Sequence, residues 1–124
     1  MENTEIKALA QTYLDACYES NVDKFKEVFH EVAHVYGYDE KGQLNDRTKD
    51  EFISYVENKT PQGYRPEFPR QEEIVSIELA NEKTAVVCLK VRVMNMMFSD
   101  ILSLMHLDGK WKIISKVYTG APIE

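Results

Sequence analysis

The sequence predicts an α+β domain, with helices concentrated in its first half and a long antiparallel sheet in its second half. Apolar residues recur at the spacing of one helix face between Thr4 and Glu19, which is typical of an amphipathic helix. From Val75 onward, apolar and polar residues alternate instead, as they do in half-buried strands. Asp108-Gly109 then separates two apolar stretches, and this dipeptide favours a tight type I′ hairpin because both residues tolerate positive φ.

The composition is that of one globular domain, to which we assign all of residues 1–124. A net charge of −6 at pH 7 and a pI near 5.1 argue against nucleic-acid and anionic membrane partners. The first residues lack the features of a signal peptide, and no apolar run is long enough to span a bilayer. We therefore expect a cytoplasmic protein in which Cys17 and Cys88 are free, buried thiols.

Two further helices are expected in the first half of the chain. The inner face of a short second helix consists of Val22, Phe25, Val28 and Phe29. A strand from Ala33 to Asp39 follows it. Thr48 and Glu51 then form a capping box, in which each side chain accepts a hydrogen bond from the other residue's backbone N–H, so a third helix begins there.

Three long strands and one returning strand are expected after a proline-containing loop at residues 60–70. The apolar positions of the first strand are Val75, Ile77 and Leu79. One face of the second strand consists of Ala85, Val87, Leu89, Val91 and Val93. The third runs from Met96 to Leu107, and the chain returns through the hairpin as far as Tyr118. A curved sheet of this kind would wrap the helices and leave a cone with an apolar interior.

The strand from Met96 to Leu107 is apolar on both faces. Its outward-facing apolar residues are Met97, Ile101, Met105 and Leu107. A sheet with two apolar faces must cover both of them. Because the helices cover only one face, we expect a second copy of the chain to cover the other, which makes the predicted assembly a homodimer.

Asp100 is the exception on the opposite face of the same strand. The other members of its alternation phase are Met96, Phe98, Leu102 and Leu104. A carboxylate in an apolar row is costly unless it has a partner or serves a purpose. We therefore expect Asp100 to point into the cone rather than to water.

Several motifs along the chain occur together in a known superfamily. They are Tyr13-Leu14, Phe29-His30, Gly37-Tyr38, Phe52, Ser99-Asp100, Asp108-Gly109-Lys110-Trp111-Lys112-Ile113 and Lys116-Val117. In this order they resemble the nuclear transport factor two-like superfamily, whose cone-shaped, cystatin-like α+β fold is shared by ketosteroid isomerases and polyketide cyclases. Within it, the chain is most similar to the putative lumazine-binding family of small, SnoaL-like bacterial proteins. The resemblance implies three N-terminal helices packed on a curved, mainly antiparallel sheet.

The resemblance to ketosteroid isomerases also implies two candidate catalytic residues. Tyr13 matches the helix-one tyrosine that donates to the substrate oxyanion, and Asp100 matches the aspartic acid that joins it. The two side chains are therefore expected to lie close enough to share one hydrogen bond or one ligand oxygen. The general base of those enzymes falls on Gly37, which has no side chain, so steroid isomerisation is not expected. Judged by residue type alone, Tyr13 could also be a core tyrosine and Asp100 a structural hydrogen-bond acceptor.

The predicted ligand pocket is apolar. Its expected lining residues are Val35, Phe52, Met94, Met96, Phe98 and Leu102. Plain core packing is an alternative role for the methionines. His30, His34 and His106 are too scattered for a metal motif, so neither a metal nor another cofactor is expected.

Three functions are compatible with these patterns. The leading hypothesis is a protein that binds a small apolar or heteroaromatic molecule. The second is a small-molecule isomerase, dehydratase or cyclase that uses Asp100 and Tyr13 for acid–base chemistry without a metal. The third is a non-catalytic dimeric association module, which would be favoured if side chains filled the cone completely.

Overall fold

Three helices and six strands make up the described part of the chain, which confirms the predicted α+β class. The computed structural model describes residues 3–59 and 68–123, so most of the predicted loop at 60–70 lies outside the described residues. The helices are α1 (Thr4–Glu19), α2 (Val22–Val28) and α3 (Lys49–Lys59). The strands are β1 (Phe29–Tyr38), β2 (Leu44–Thr48), β3 (Glu72–Asn81), β4 (Thr84–Val93), β5 (Met96–Leu107) and β6 (Lys110–Pro122).

The six strands form one sheet in the order β2-β1-β6-β5-β4-β3. Neighbouring strands are antiparallel except for β1 and β6, which run parallel. The last strand of the chain therefore lies between the first strand and β5. This placement brings residues from both ends of the sequence to the middle of the sheet.

The hairpin between β5 and β6 has the predicted tight turn. Leu107 pairs with Lys110, which leaves Asp108 and Gly109 as the two turn residues. Their φ angles are 51° and 80°, so both lie in the left-handed region that a type I′ turn requires. The dipeptide therefore sets the register of the two strands.

The core lies between the helices and the inner face of the sheet. Helix α1 has the predicted bounds, and its buried residues are Ile6, Leu9, Ala10, Tyr13, Leu14, Ala16 and Cys17. The predicted inner face of β4 is also correct, since Ala85, Val87, Leu89 and Val91 are buried. Each of the two elements thus presents one continuous apolar surface to the other.

The third helix starts at the predicted capping box. The Thr48 N–H donates to Glu51 Oε1 at 2.8 Å, and the Glu51 N–H donates to Thr48 Oγ1 at 3.2 Å. The second helix, however, is shorter than predicted. Phe29 has an extended backbone (φ −87°, ψ 135°) and begins β1, although its side chain is still buried. Burial alone does not distinguish the end of a helix from the start of a strand.

The predicted phase of β3 is wrong at Val75. The pairing of β3 with β4 shifts between Ile74 and Ser76, so Val75 is the extra residue of a β-bulge. Its side chain is 49% exposed, whereas Ile74 and Ile77 pack against the core. The bulge lets residues an odd number of positions apart share one face.

Both cysteines are free, as predicted, but only Cys17 is fully buried. Cys88 is half-buried because it alternates with the buried residues Val87 and Leu89 of β4 and so lies on the outer face. The expectation of two buried thiols is therefore wrong for Cys88.

We expect Leu102→Ala to lower the free energy of unfolding by about 2–5 kcal/mol, because it empties a site in the packed core. Leu102 is fully buried, whereas Leu44 on β2 is 70% exposed. The same substitution at Leu44 is therefore the control and should change stability by less than about 0.5 kcal/mol. Urea denaturation of the two variants checks this, and equal losses would show that the assigned faces are wrong.

Candidate functional site

A cavity of ≈ 250 Å³ lies at one end of the core, between the helices and the sheet. Its volume is slightly below the ~300–1,000 Å³ typical of pockets for drug-sized molecules, so it suits a small ligand. The lining residues come from α1, α2, α3, β2, β4, β5 and β6 and from the turns that follow α1 and β4. Elements from the first helix to the last strand therefore contribute to one site.

The walls of the cavity are mainly apolar. Of the residues predicted to line a pocket, four do so: Phe52, Met94, Met96 and Phe98. The other two, Leu102 and Val35, are fully buried in the core and do not line the cavity. Alternation identified their face of the sheet correctly, but it does not show where along a strand the packed core ends and the cavity begins.

Asp100 and Tyr13 meet as predicted. The Tyr13 hydroxyl donates to Asp100 Oδ2 at 2.5 Å, and both side chains are almost completely buried. This distance is at the short end of the range for hydrogen bonds between two oxygen atoms. Asp100 lines the cavity, whereas Tyr13 does not, so the phenol lies behind the carboxylate and holds it in place.

Lys116 is the site residue that the sequence reasoning missed. Its Nζ atom lies 3.9 Å from Asp100 Oδ2, and only 7% of the residue is exposed. It also lines the cavity. A buried lysine beside a buried aspartate places two ionisable groups of opposite charge on the wall of a mainly apolar cavity.

The position of Lys116 depends on a second β-bulge. Leu104 pairs with Ile113, but Ser103 pairs with Ser115, so Ile114 is an extra residue in β6. Simple alternation from Ile113 would direct residue 116 outward. The extra residue reverses the phase, so Lys116 faces inward and Val117 is 45% exposed.

Three aromatic rings surround the Lys116 ammonium. Its Nζ atom lies 4.7 Å from the ring centroid of Phe52 and 5.3 Å from those of Tyr13 and Tyr118. The negative faces of such rings attract a cation, most strongly where water is excluded. The rings and Asp100 together compensate for the hydration that this lysine has lost.

Asp100 retains one oxygen for a further partner. Its Oδ2 atom receives the Tyr13 hydrogen bond and is the oxygen nearest to Lys116. Its Oδ1 atom is buried and has no hydrogen-bond partner among the described residues. Buried carboxylate oxygens are nearly always satisfied, so a donor group on a bound molecule would find an acceptor here.

Burial keeps the Tyr13 phenol and the Cys17 thiol protonated. Desolvation raises the pKa of Tyr13 well above 10.0, and the neighbouring charge of Asp100 raises this pKa further. Burial also raises the pKa of the Cys17 thiol from 9.0 to about 12. Tyr13 is therefore a stable hydrogen-bond donor at neutral pH, and Cys17 is a thiol rather than a reactive thiolate.

Gly37 occupies the position at which the resemblance implies a general base. A Cβ atom there would lie 2.5 Å from Cζ of Tyr118, so the ring of Tyr118 packs directly on the glycine backbone. Tyr118 itself lines the cavity. The space that a base would occupy is thus filled by a phenol ring from the adjacent strand β6.

Met94 lies in the turn between β4 and β5 and has an unusual backbone. Its φ of 52° lies in the left-handed region, which is rarely adopted by residues other than glycine. Arg92 Nε donates to the Met94 carbonyl oxygen at 2.8 Å and so stabilises this turn.

Arg47 is a further charged residue that lines the cavity. Its guanidinium group stacks over the ring of Tyr55, with Cζ 4.2 Å from the ring centroid.

The described residues contain no group of three or more His, Cys, Asp or Glu side chains arranged to hold a metal ion. Within that part of the chain, no helix is long and apolar enough to cross a membrane.

We expect stability to fall at alkaline pH, because the unfolded chain loses the Cys17 proton near pH 9.0 while the folded chain keeps it until about pH 12. The unfolded state then binds fewer protons, so the free energy of unfolding decreases as pH rises. One pKa unit corresponds to 1.36 kcal/mol, which gives a loss from this thiol of about 2 kcal/mol between pH 8 and pH 10.5.

Urea denaturation at both pH values measures this loss. Cys17→Ala should reduce it by that amount. Val28→Ala, which also removes buried atoms but no ionisable group, should leave it unchanged. An identical pH dependence in Cys17→Ala and in the original protein would contradict the prediction.

Comparisons with known proteins agree with this architecture. A solved structure of an NTF-2 like protein of unknown function from Silicibacter pomeroyi DSS-3 is similar, with a TM-score of 0.81, 25% identity and coverage of 95% of this chain and 94% of that chain. An NTF2-like protein of unknown function from Shewanella baltica OS155 gives a TM-score of 0.85 at 19% identity, with coverage of 96% and 93%.

Among characterised proteins, the chain is similar to aldolase FrzH from a Cladobotryum species. The two are 25% identical over 124 residues, which cover 98% of this chain and 93% of the aldolase. The family described as "Putative lumazine-binding" matches residues 1–119. The chain therefore belongs to the putative lumazine-binding family, and its fold is that of the NTF2-like proteins.

Proposed function

We propose that the chain binds a small, largely apolar or heteroaromatic molecule in the cavity and holds one of its oxygen atoms beside Lys116 and Asp100. The observation that carries the proposal is a buried ion pair on the wall of a mainly apolar cavity. Apolar walls favour a mainly apolar ligand, because binding removes the apolar surface of the ligand from water. The two charged groups then fix the orientation of the ligand.

Each charged group can recognise a different polar atom. The Lys116 ammonium is a donor only, so it suits a carbonyl, hydroxyl or heterocyclic oxygen. The unpartnered Oδ1 of Asp100 is an acceptor, so it suits a hydroxyl or ring N–H. Tyr13 already donates to Asp100 and lies outside the cavity lining. Its proposed role is therefore to position the carboxylate rather than to contact the ligand.

The open cavity favours this function over a purely structural association module. That hypothesis required side chains to fill the cone, whereas a space of ≈ 250 Å³ remains. The family name refers to lumazine, a heteroaromatic molecule that carries carbonyl oxygens. Such a ligand is compatible with the aromatic walls that Phe98 and Tyr118 provide.

A second candidate is acid–base chemistry on a carbonyl compound. Asp100 and Lys116 are two ionisable groups 3.9 Å apart at the cavity surface, and one similar protein is named an aldolase. Aldol reactions form or break a bond at the carbon atom next to a carbonyl group. They need one group that polarises the carbonyl oxygen and another that transfers a proton. Lys116 and Asp100 would have these roles, although Gly37 supplies no base.

A large side chain inside the cavity should weaken ligand binding. We expect Val93→Trp, which inserts a large ring at a lining residue of β4, to weaken binding at least about 10-fold, or 1.4 kcal/mol. Lumazine and 6-methoxy-2-naphthalenemethanol are suitable probes, titrated into ¹⁵N-labelled protein. The amides of Phe98 and Tyr118 should shift in the original protein.

The matched control is Val86→Trp on the same strand. Val86 lies on the outer face and is 36% exposed, so this variant should bind like the original protein. Cavity shifts that persist in Val93→Trp, or the absence of shifts with both probes in the original protein, would contradict the proposed function.

We also propose that the outer face of the sheet forms a homodimer. Ile101 on β5 pairs with Val117 on β6 at its centre, and these side chains are 48% and 45% exposed. Met105 is also exposed on β5. A two-fold axis near Ile101 would place this apolar centre against its own copy, as isologous dimers require.

We expect Ile101→Arg to produce monomers, because an arginine in an apolar interface would lack a partner for its charge. Light scattering at micromolar protein concentration measures the change. Val32→Arg, at an apolar residue on β1 that is 62% exposed, is the control and should leave the dimer intact. A monomeric original protein would refute the homodimer.

A further inference from the structure

We infer that the amine of Lys116 forms an imine with an aldehyde or ketone bound in the cavity. This inference rests on the proposed function, because it identifies the ligand oxygen beside Lys116 as a carbonyl oxygen. It adds a covalent step and a chemical class of ligand.

The first argument is the access of Lys116 to the cavity. Lys116 is the only lysine among the lining residues of the described chain. Its nearest carboxylate oxygen, Asp100 Oδ2, lies 3.9 Å away, which is beyond direct hydrogen-bond distance. The amine is therefore oriented by Asp100 without being tightly bound to it, and it can approach a carbonyl carbon from the cavity wall.

The second argument is the environment of the amine. Lys116 is almost completely buried and lies among the rings of Phe52, Tyr13 and Tyr118. Lysines desolvated in apolar pockets are the groups that proteins use to form Schiff bases with carbonyl compounds. Cys17, whose side chain also lines the cavity, remains a protonated thiol because burial raises its pKa to about 12.

The third argument is that Asp100 can move the protons that the reaction requires. Lys116 Nζ moves from 3.9 Å into hydrogen-bond distance of the Asp100 carboxylate, and the ammonium passes one proton to it. The neutral amine attacks the carbonyl carbon, and one proton shifts from its nitrogen to the former carbonyl oxygen, which gives a carbinolamine. The Asp100 carboxylic acid then returns its proton to the carbinolamine hydroxyl, which leaves as water. A C=N bond forms, the C–O bond breaks, and the iminium keeps the positive charge of the original ammonium. No oxidant or reductant is needed.

Tyr13 keeps Asp100 in position during this exchange. Its hydroxyl donates to Oδ2, and because its own pKa is raised well above 10.0 it stays a donor throughout. The Asp100 carboxyl group is therefore held beside Lys116 Nζ while it accepts and returns the proton.

Reductive trapping tests the inference. The full chain is incubated with 6-methoxy-2-naphthaldehyde and sodium cyanoborohydride, which reduces an iminium to a stable amine. Intact mass counts the adducts, and peptide mapping of the unmutated protein locates them. We expect one predominant adduct, at Lys116. The amount of adduct at Lys116 should be at least about tenfold greater than the amount at the exposed Lys110 of the same strand. The reason is that a bound aldehyde is held beside the Lys116 amine, so the reaction becomes effectively unimolecular.

Two variants and one denatured sample serve as controls. Lys116→Met should lose the predominant adduct, and Lys110→Met should retain it. Protein unfolded in urea should lose the preference for Lys116. Because peptide mapping of the original protein identifies the site directly, the inference can be judged even if Lys116→Met does not fold.

The alcohol 6-methoxy-2-naphthalenemethanol separates this inference from the proposed function, because it can occupy the cavity but cannot form an imine. If the alcohol shifts the amides of Phe98 and Tyr118 while Lys116 remains unlabelled by the aldehyde, imine formation is overturned and the binding function stands. If the alcohol produces no shifts and adducts are spread over exposed lysines, both the inference and binding of this ligand class are overturned.

Discussion

The structure depends on how one buried carboxylate is compensated. Asp100 lies on the inner face of β5, where an unpaired charge would be strongly unfavourable. The Tyr13 hydroxyl from α1 and the Lys116 ammonium from β6 both approach its Oδ2 atom. These contacts join a helix from the start of the chain to the two central strands. Because removal of Asp100 would leave the Lys116 ammonium and the Tyr13 hydroxyl buried without their shared partner, the three residues restrain the relative positions of the elements that form the cavity.

Two β-bulges determine which side chains face the helices. In β3, the extra residue Val75 is exposed and Ile74 is directed toward the core. In β6, the extra residue Ile114 turns Lys116 inward. Without the second bulge, the strand would direct Lys116 to the outer face and Val117 toward Asp100. An apolar residue would then lie beside the carboxylate, and the charge would have no counterpart. The local irregularity of one strand thus creates the only ion pair that lines the cavity in the described chain.

The two faces of the sheet differ in chemistry because adjacent residues of each strand point in opposite directions. On β5, Asp100 lies at the cavity while its neighbour Ile101 is half-exposed on the other side. The proposed ligand site on the inner face and the proposed dimer contact on the outer face are therefore compatible with each other. Gly37 illustrates how close packing limits the chemistry of the inner face, since the Tyr118 ring lies directly over its backbone. A larger residue there would displace that ring from the cavity wall.

The sequence by itself determined the features that depend on local pattern. Helical periodicity predicted the bounds of α1, the Asp108-Gly109 dipeptide predicted the hairpin, and alternation placed Asp100 on the inner face. The pairing of Asp100 with Tyr13 was implied by the resemblance to ketosteroid isomerases. The exposure of Val75, the inward orientation of Lys116 and the enclosure of Leu102 in the packed core were decided only by the tertiary structure. A bulge arises from the pairing of two strands, and the boundary between core and cavity arises from the packing of several elements. Neither leaves a periodic signal in one segment, because both are set by residues distant in the chain.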